Sequence, residues 1–100
     1  MIYISGCIGM SKDTKALVSN DVEEQTRQVM ENLKFIVEDC GSNMNKIVKC
    51  TVLVASMSDF AKVNVIYSEY FPENPPARAC FAVLELPAKA LVEIDAICIE

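Results

Sequence analysis

Two arginines occur in this chain, and they keep different company. Arg27 lies among Glu23, Glu24 and Glu31, at helical spacing from acids that can pair with it at the surface. Arg78 instead follows Pro75, Pro76 and Ala77 and enters a nearly all-apolar run, ACFAVLEL. A guanidinium in such a run needs a carboxylate or phosphate partner, because desolvating it unpaired is costly. Two partners fit: an acid on another subunit, giving a structural salt bridge, or a small carboxylate ligand gripped in bidentate fashion. Glu93 and Asp95 stand in a second apolar run, LVEIDAICI, and their spacing of two puts both on one face of a strand. Either can hold or polarise a water, or can serve as a structural partner for Arg78 or a lysine. Cys80 shares a strand face with Arg78, yet the chain has no histidine, so a cysteine–histidine nucleophile is excluded. Asn64 and Tyr67 are three apart on a helical stretch, where a hydrogen bond at the edge of the core is the simplest role. Ser5 and Gly6 offer a hydroxyl and open backbone groups inside the first strand, and Gly9 reads as a turn residue.

The elements that must position these residues follow from periodicity. The run IYISGCI at 2–8 predicts a strand that loses regularity at Gly6. A turn-rich stretch follows, with Ala16 to Val18 as a short extended piece. Asp21 and Glu24 have the spacing of a capping box, and Val22, Thr26, Val29, Met30, Leu33, Ile36, Val37 and Cys40 form an apolar stripe at helical period. That helix would be about 30 Å long and would end at Gly41. The run KIVKCTVLVA at 46–55 predicts a central strand covered by a helix. Ser58 is expected to cap a second helix running to Phe71, with Phe60, Val63, Tyr67 and Tyr70 or Phe71 facing inward. Pro72, Pro75 and Pro76 end it in a stiff loop. Two strands at about 77–86 and 90–99 follow, joined as a hairpin around Pro87 and Ala88. In that register Arg78 and Glu93 would lie roughly 20 Å apart in one chain, so one small ligand could use both only between subunits.

The order strand, helix, strand, helix, strand, strand predicts one α+β domain over residues 1–100, with two helices on one face of a mainly antiparallel sheet. At 100 residues, 52% of them hydrophobic, the chain leaves an apolar opposite face that burial against copies of itself would cover. No apolar run reaches the roughly 20 residues of a membrane-spanning helix, and no secretory leader is apparent, so a cytoplasmic, or alternatively mitochondrial, protein is expected. Five cysteines without a CxxC pattern read as reduced core thiols. A net charge of −5 without a basic cluster disfavours nucleic acid. The absence of histidine and of paired cysteines disfavours zinc.

The segments YISGCIG, DVEEQTRQVMENLKFIVEDCG, IVKCTVLVASMSDFAKVNVIYSEYF, PARACFAVLELP and ALVEIDAI closely resemble the Rid (YjgF) family of enamine and imine deaminases. The resemblance spans essentially all of the chain, and PARAC followed by LP and ALVEI is its most specific part. It implies a chorismate-mutase-like fold assembled as a homotrimer with clefts between subunits. It also implies hydrolysis of 2-aminoacrylate and related 2-imino carboxylates, released by pyridoxal-phosphate enzymes, to 2-keto acids and ammonia, with no cofactor and no metal. By the same resemblance Arg78 binds the substrate carboxylate and Glu93 positions the hydrolytic water. Gly6, Asn64 and Cys80 line the cleft. The chain departs from the family pattern in three places: it starts after an N-terminal strand that family chains usually carry, Cys7 replaces a glutamine, and Pro75 stands where an aromatic often precedes the arginine motif. Two other readings stay open: a metabolite-binding trimer without turnover, and a ribonuclease or translation inhibitor, which charge and the lack of histidine disfavour.

Overall fold

A computed structural model describes residues 1–100. The elements run β1 (Ile2–Ile8), α1 (Val22–Asp39), β2 (Ile47–Val54), α2 (Phe60–Glu69), β3 (Ala77–Ala82) and β4 (Val92–Cys98), with short 3-10 turns before β2, α2 and β4. The strands form one sheet in the order β1-β4-β2-β3. β4 is antiparallel to both β1 and β2, whereas β3 is parallel to β2.

α1 forms where the stripe places it. Val29, Met30, Leu33 and Val37 have no exposed surface and join the inward residues of β2 and β4 in a cluster of 19 buried residues. The Asp21 side chain accepts a hydrogen bond from the Glu24 backbone at 2.9 Å and caps the helix. At the other end Gly41 adopts a φ of +84°, and the backbone N–H groups of Gly41 and Ser42 return to the Glu38 and Val37 carbonyls, a Schellman closure. The far end of the stripe is wet: Ile36 and Cys40 are exposed. Arg27 pairs with Glu69 of α2 at 2.8 Å rather than with the acids on its own helix, so it ties the two helices together.

Two further expectations need correction. Ser56, not Ser58, caps the turn that leads into α2; its hydroxyl accepts from the Ser58 N–H, and α2 itself starts at Phe60. Nor do β3 and β4 form a hairpin. A strand, helix, strand order favours a crossover to a parallel partner, and β2-α2-β3 is such a unit. The connection from β3 to β4 wraps around the end of β2: Val83 donates to the Val54 carbonyl, and Ala55 donates to that of Leu91. β2 therefore lies between the two strands that the turn at Pro87 joins.

Both helices cover one face. Alternation along β4 buries Val92, Ile94, Ala96 and Cys98 beneath them and sends Glu93, Asp95 and Ile97 to the other face. No helix covers that second face, where Tyr3 and Phe81 are exposed. No helix is long and apolar enough to cross a membrane. Leu33→Ala is expected to lower the unfolding free energy by about 2–5 kcal/mol, because a fully buried side chain leaves a cavity. Asp21→Ala should cost about 1 kcal/mol through the lost cap. Urea titrations followed by far-ultraviolet circular dichroism check both, and equal losses would contradict this account of the core.

Candidate functional site

Arg78 sits on the outer strand β3, in register with Cys50 of β2, and so shares the helix-covered side of the sheet. Its guanidinium extends over α2. Nη1 donates to Asn64 Oδ1 at 2.5 Å, while the guanidinium carbon lies 4.8 Å from the Tyr67 ring centroid and 5.4 Å from that of Phe60. Positions 60, 64 and 67 recur on one face of the helix, which explains why all three reach one side chain. The two ion pairs of the chain involve its N-terminus with Glu100 and Arg27 with Glu69. Arg78 thus has a neutral acceptor and two aromatic faces but no carboxylate. Beside it opens a cavity of about 410 Å³ lined by Asn64, Tyr67, Ser68, Pro75, Pro76 and Arg78. An exposed cation with unused in-plane donors at the mouth of such a cavity suits a planar carboxylate.

Beneath the arginine the site turns apolar. Tyr67 is 4% exposed and Cys50 is fully buried. The Tyr67 hydroxyl is buried beside the Cys50 thiol. Burial pushes the Tyr67 phenol well up, the adjacent Cys50 adds to this, and Arg78 opposes it. Burial also raises the Cys50 and Cys80 thiols, against an opposing pull from Arg78. Cys80, two residues along from Arg78 on the same side, is half-buried and is therefore a poor nucleophile at neutral pH.

Glu93 belongs to the other face. It lies across from Leu53 of β2 and Ile8 of β1. Between Ile4 and Cys7 the register of β1 shifts, so Ser5 and Gly6 together oppose the single residue Asp95 as a bulge. The bulge brings Gly6 under Glu93: a Cβ built at Gly6 would overlap the Glu93 carboxylate. The burial that raises the Cys7 thiol is reinforced by the negative fields of Glu93 and Asp95.

The five residues divide between the two faces of the sheet. Arg78, Asn64 and Cys80 gather on the helix side, Gly6 and Glu93 on the open side. The hairpin register that set Arg78 and Glu93 apart is wrong, but the actual one also keeps them apart. They lie two strands and three residues from each other, about 14 Å between Cα atoms, and their side chains leave opposite faces. The contacts of Phe60 and Tyr67 with Arg78 are not apparent from sequence, although the 60, 64, 67 spacing carries the signal.

The family described as Endoribonuclease L-PSP matches residues 1–100. A RutC family protein of Pyrococcus abyssi is 44% identical over 96 residues, which cover 96% of this chain and 76% of that protein. The human 2-iminobutanoate/2-iminopropanoate deaminase is 43% identical over 99 residues, covering 99% of this chain and 72% of the human one. Among solved structures, Escherichia coli TdcF with bound serine superposes with a TM-score of 0.92 at 34% identity, over 98% of this chain and 79% of that one. Resemblance, fold and comparisons agree on the family and its fold.

The contact between Gly6 and Glu93 is testable without a substrate. Gly6→Ala should destabilise the fold by at most about 1 kcal/mol, because the atoms it meets are the end of the flexible, half-exposed Glu93 side chain, which can swing away. In a Glu93→Ala background the same substitution should cost much less. Denaturant unfolding of the four proteins gives the coupling, and strict additivity would show that the two residues do not pack on each other.

Proposed function

The chain belongs to the family described as Endoribonuclease L-PSP, and on that premise we propose that it hydrolyses small 2-imino carboxylates to 2-keto acids and ammonia. The observation that carries this reading is Arg78, a cation with no acid partner, held by Asn64 and two rings at the mouth of a cavity. The human relative's name as a 2-iminobutanoate/2-iminopropanoate deaminase supports the reaction class, and the serine bound to TdcF supports a small amino-carboxylate ligand for this fold.

The chemistry needs little machinery. Arg78 grips the carboxylate, and an enamine substrate first tautomerises to the imine. Water held by Glu93 adds to the imine carbon. A carbon–oxygen bond forms, the carbon–nitrogen bond breaks, and the protons of water leave with ammonia, giving a keto acid with no change of oxidation state. Positioning and a fixed positive charge supply most of the effect. Cys80 has no nucleophilic part.

Since Arg78 and Glu93 face opposite ways in one chain, the reading requires the open face of one subunit to meet the helix side of another. We read the assembly as a homotrimer with the site at each junction, its uncovered face, with Tyr3, Leu53, Phe81 and Ile97, buried between subunits. The five free thiols fit a reducing compartment such as the cytoplasm or mitochondrial matrix. The family's description favours a second reading as a ribonuclease, but a charge of −5 opposes a polyanion.

Arg78→Ala should lower kcat/KM for 2-aminoacrylate generated in situ by about a hundredfold or more, in line with losing a charged hydrogen-bond partner. Arg78→Lys should recover only part, since an ammonium cannot make the paired contact. Release of ammonia and keto acid is the readout. Wild-type rates in Arg78→Ala would overturn the assignment, and cleavage of RNA lost on the same substitution would favour the ribonuclease.

A further inference from the structure

Tyr67 has a neighbour that a core tyrosine does not need: its ring carries the Arg78 guanidinium at 4.8 Å. Its hydroxyl is buried beside the Cys50 thiol. Phe60, on the same helix face about two turns earlier, offers a second ring to the same cation at 5.4 Å. Asn64 lies between them in sequence and takes one N–H of the guanidinium. Three contacts from one helix thus act on a group whose own strand is exposed at the sheet edge.

We infer that Tyr67 is a positioning residue for Arg78: its ring face, aided by Phe60, holds the guanidinium plane so that the donors not used by Asn64 meet a ligand carboxylate. The hydroxyl takes no part. Alkyl packing could fill the same volume, but only a π-face attracts the cation and fixes its plane without consuming a donor. That difference matters at an exposed arginine, which otherwise samples many rotamers and must give up that freedom on binding. The prediction is therefore directional. Removing the hydroxyl is harmless, whereas removing the ring loosens Arg78 and weakens carboxylate binding without touching the reacting carbon.

The functional part of this inference rests on the deaminase reading; the positioning part does not, and two measurements separate them. The first is nuclear magnetic resonance of the guanidinium groups, which is tractable because the chain has two arginines. Arg78 side-chain protons should show upfield ring-current shifts and slowed guanidinium rotation in wild type and in Tyr67→Phe, and both should be lost in Tyr67→Leu while Arg27 signals stay put. The second is steady-state kinetics on 2-aminoacrylate with 2-oxobutanoate as competitive inhibitor. Tyr67→Phe should stay within about twofold of wild type. Tyr67→Leu should raise KM and the inhibition constant together by roughly tenfold, with kcat nearly kept, as expected for lost ground-state binding. Arg78 signals unshifted in wild type, or unchanged in Tyr67→Leu, would overturn the positioning role. Equal kinetic losses in Tyr67→Phe and Tyr67→Leu would overturn it too, by giving the role to the hydroxyl. Ring-current shifts that follow the ring in a protein without deaminase activity would uphold the positioning and sink the deaminase reading instead.

Discussion

The pleat of the sheet governs where chemistry is possible in this protein. Successive side chains on a strand leave opposite faces, so β4 cannot bury Val92, Ile94, Ala96 and Cys98 beneath the helices without turning Glu93 and Asp95 to the uncovered side. On β3 the same rule turns Arg78 and Cys80 toward the helices, in register with Cys50 and Val52. Slipping β4 by one residue would exchange core for solvent along its length, which fixes Glu93 on the uncovered face; β3 buries almost nothing, and the face of Arg78 is set by its pairing in register with β2. In one chain the two charged residues therefore leave opposite faces of the sheet.

Each half is then refined by local packing. On the helix side α2 supplies a neutral acceptor and two rings in place of an acid, which leaves the positive charge of Arg78 uncompensated and available. On the open side the bulge at Ser5 and Gly6 lets the backbone of β1 approach the Glu93 carboxylate, which a side chain at position 6 would displace. In a single chain Arg78 stays exposed and Glu93 half-exposed.

Much of this was legible beforehand, for identifiable reasons. Helix α1 declares itself because Val22, Thr26, Val29, Met30, Leu33 and Val37 repeat at its period between an Asp21 cap and Gly41. Arg78 stands out as a cation in an otherwise apolar run, but the run lies exposed at the sheet edge, so the guanidinium is not desolvated and has no need of an acid partner. Strand pairing is less legible: an apolar run such as 77–86 states that it is a strand but not which neighbour it takes. A turn at Pro87 suggests a hairpin just as well as a wrap around β2. The cap at Ser56 rather than Ser58 is a choice between like residues two apart, decided by the turn that precedes α2. The irregularity of β1 at Gly6 is legible from the glycine itself, but that the shift brings Glu93 over it depends on the pairing with β4, which no residue pattern announces.

The central claim is that a working site takes Arg78 from one subunit and Glu93 from another, and mixing mutants tests it most directly. Arg78→Ala and Glu93→Gln chains, each inactive alone, would be unfolded, combined in equal amounts, refolded together and assayed for ammonia release. Random assembly of a ring whose sites span neighbours restores about a quarter of the sites to wild-type composition, and that share of activity is the predicted result. No recovery from mixed assemblies that fold and associate as wild type does would contradict the account and place both residues in the service of a single chain.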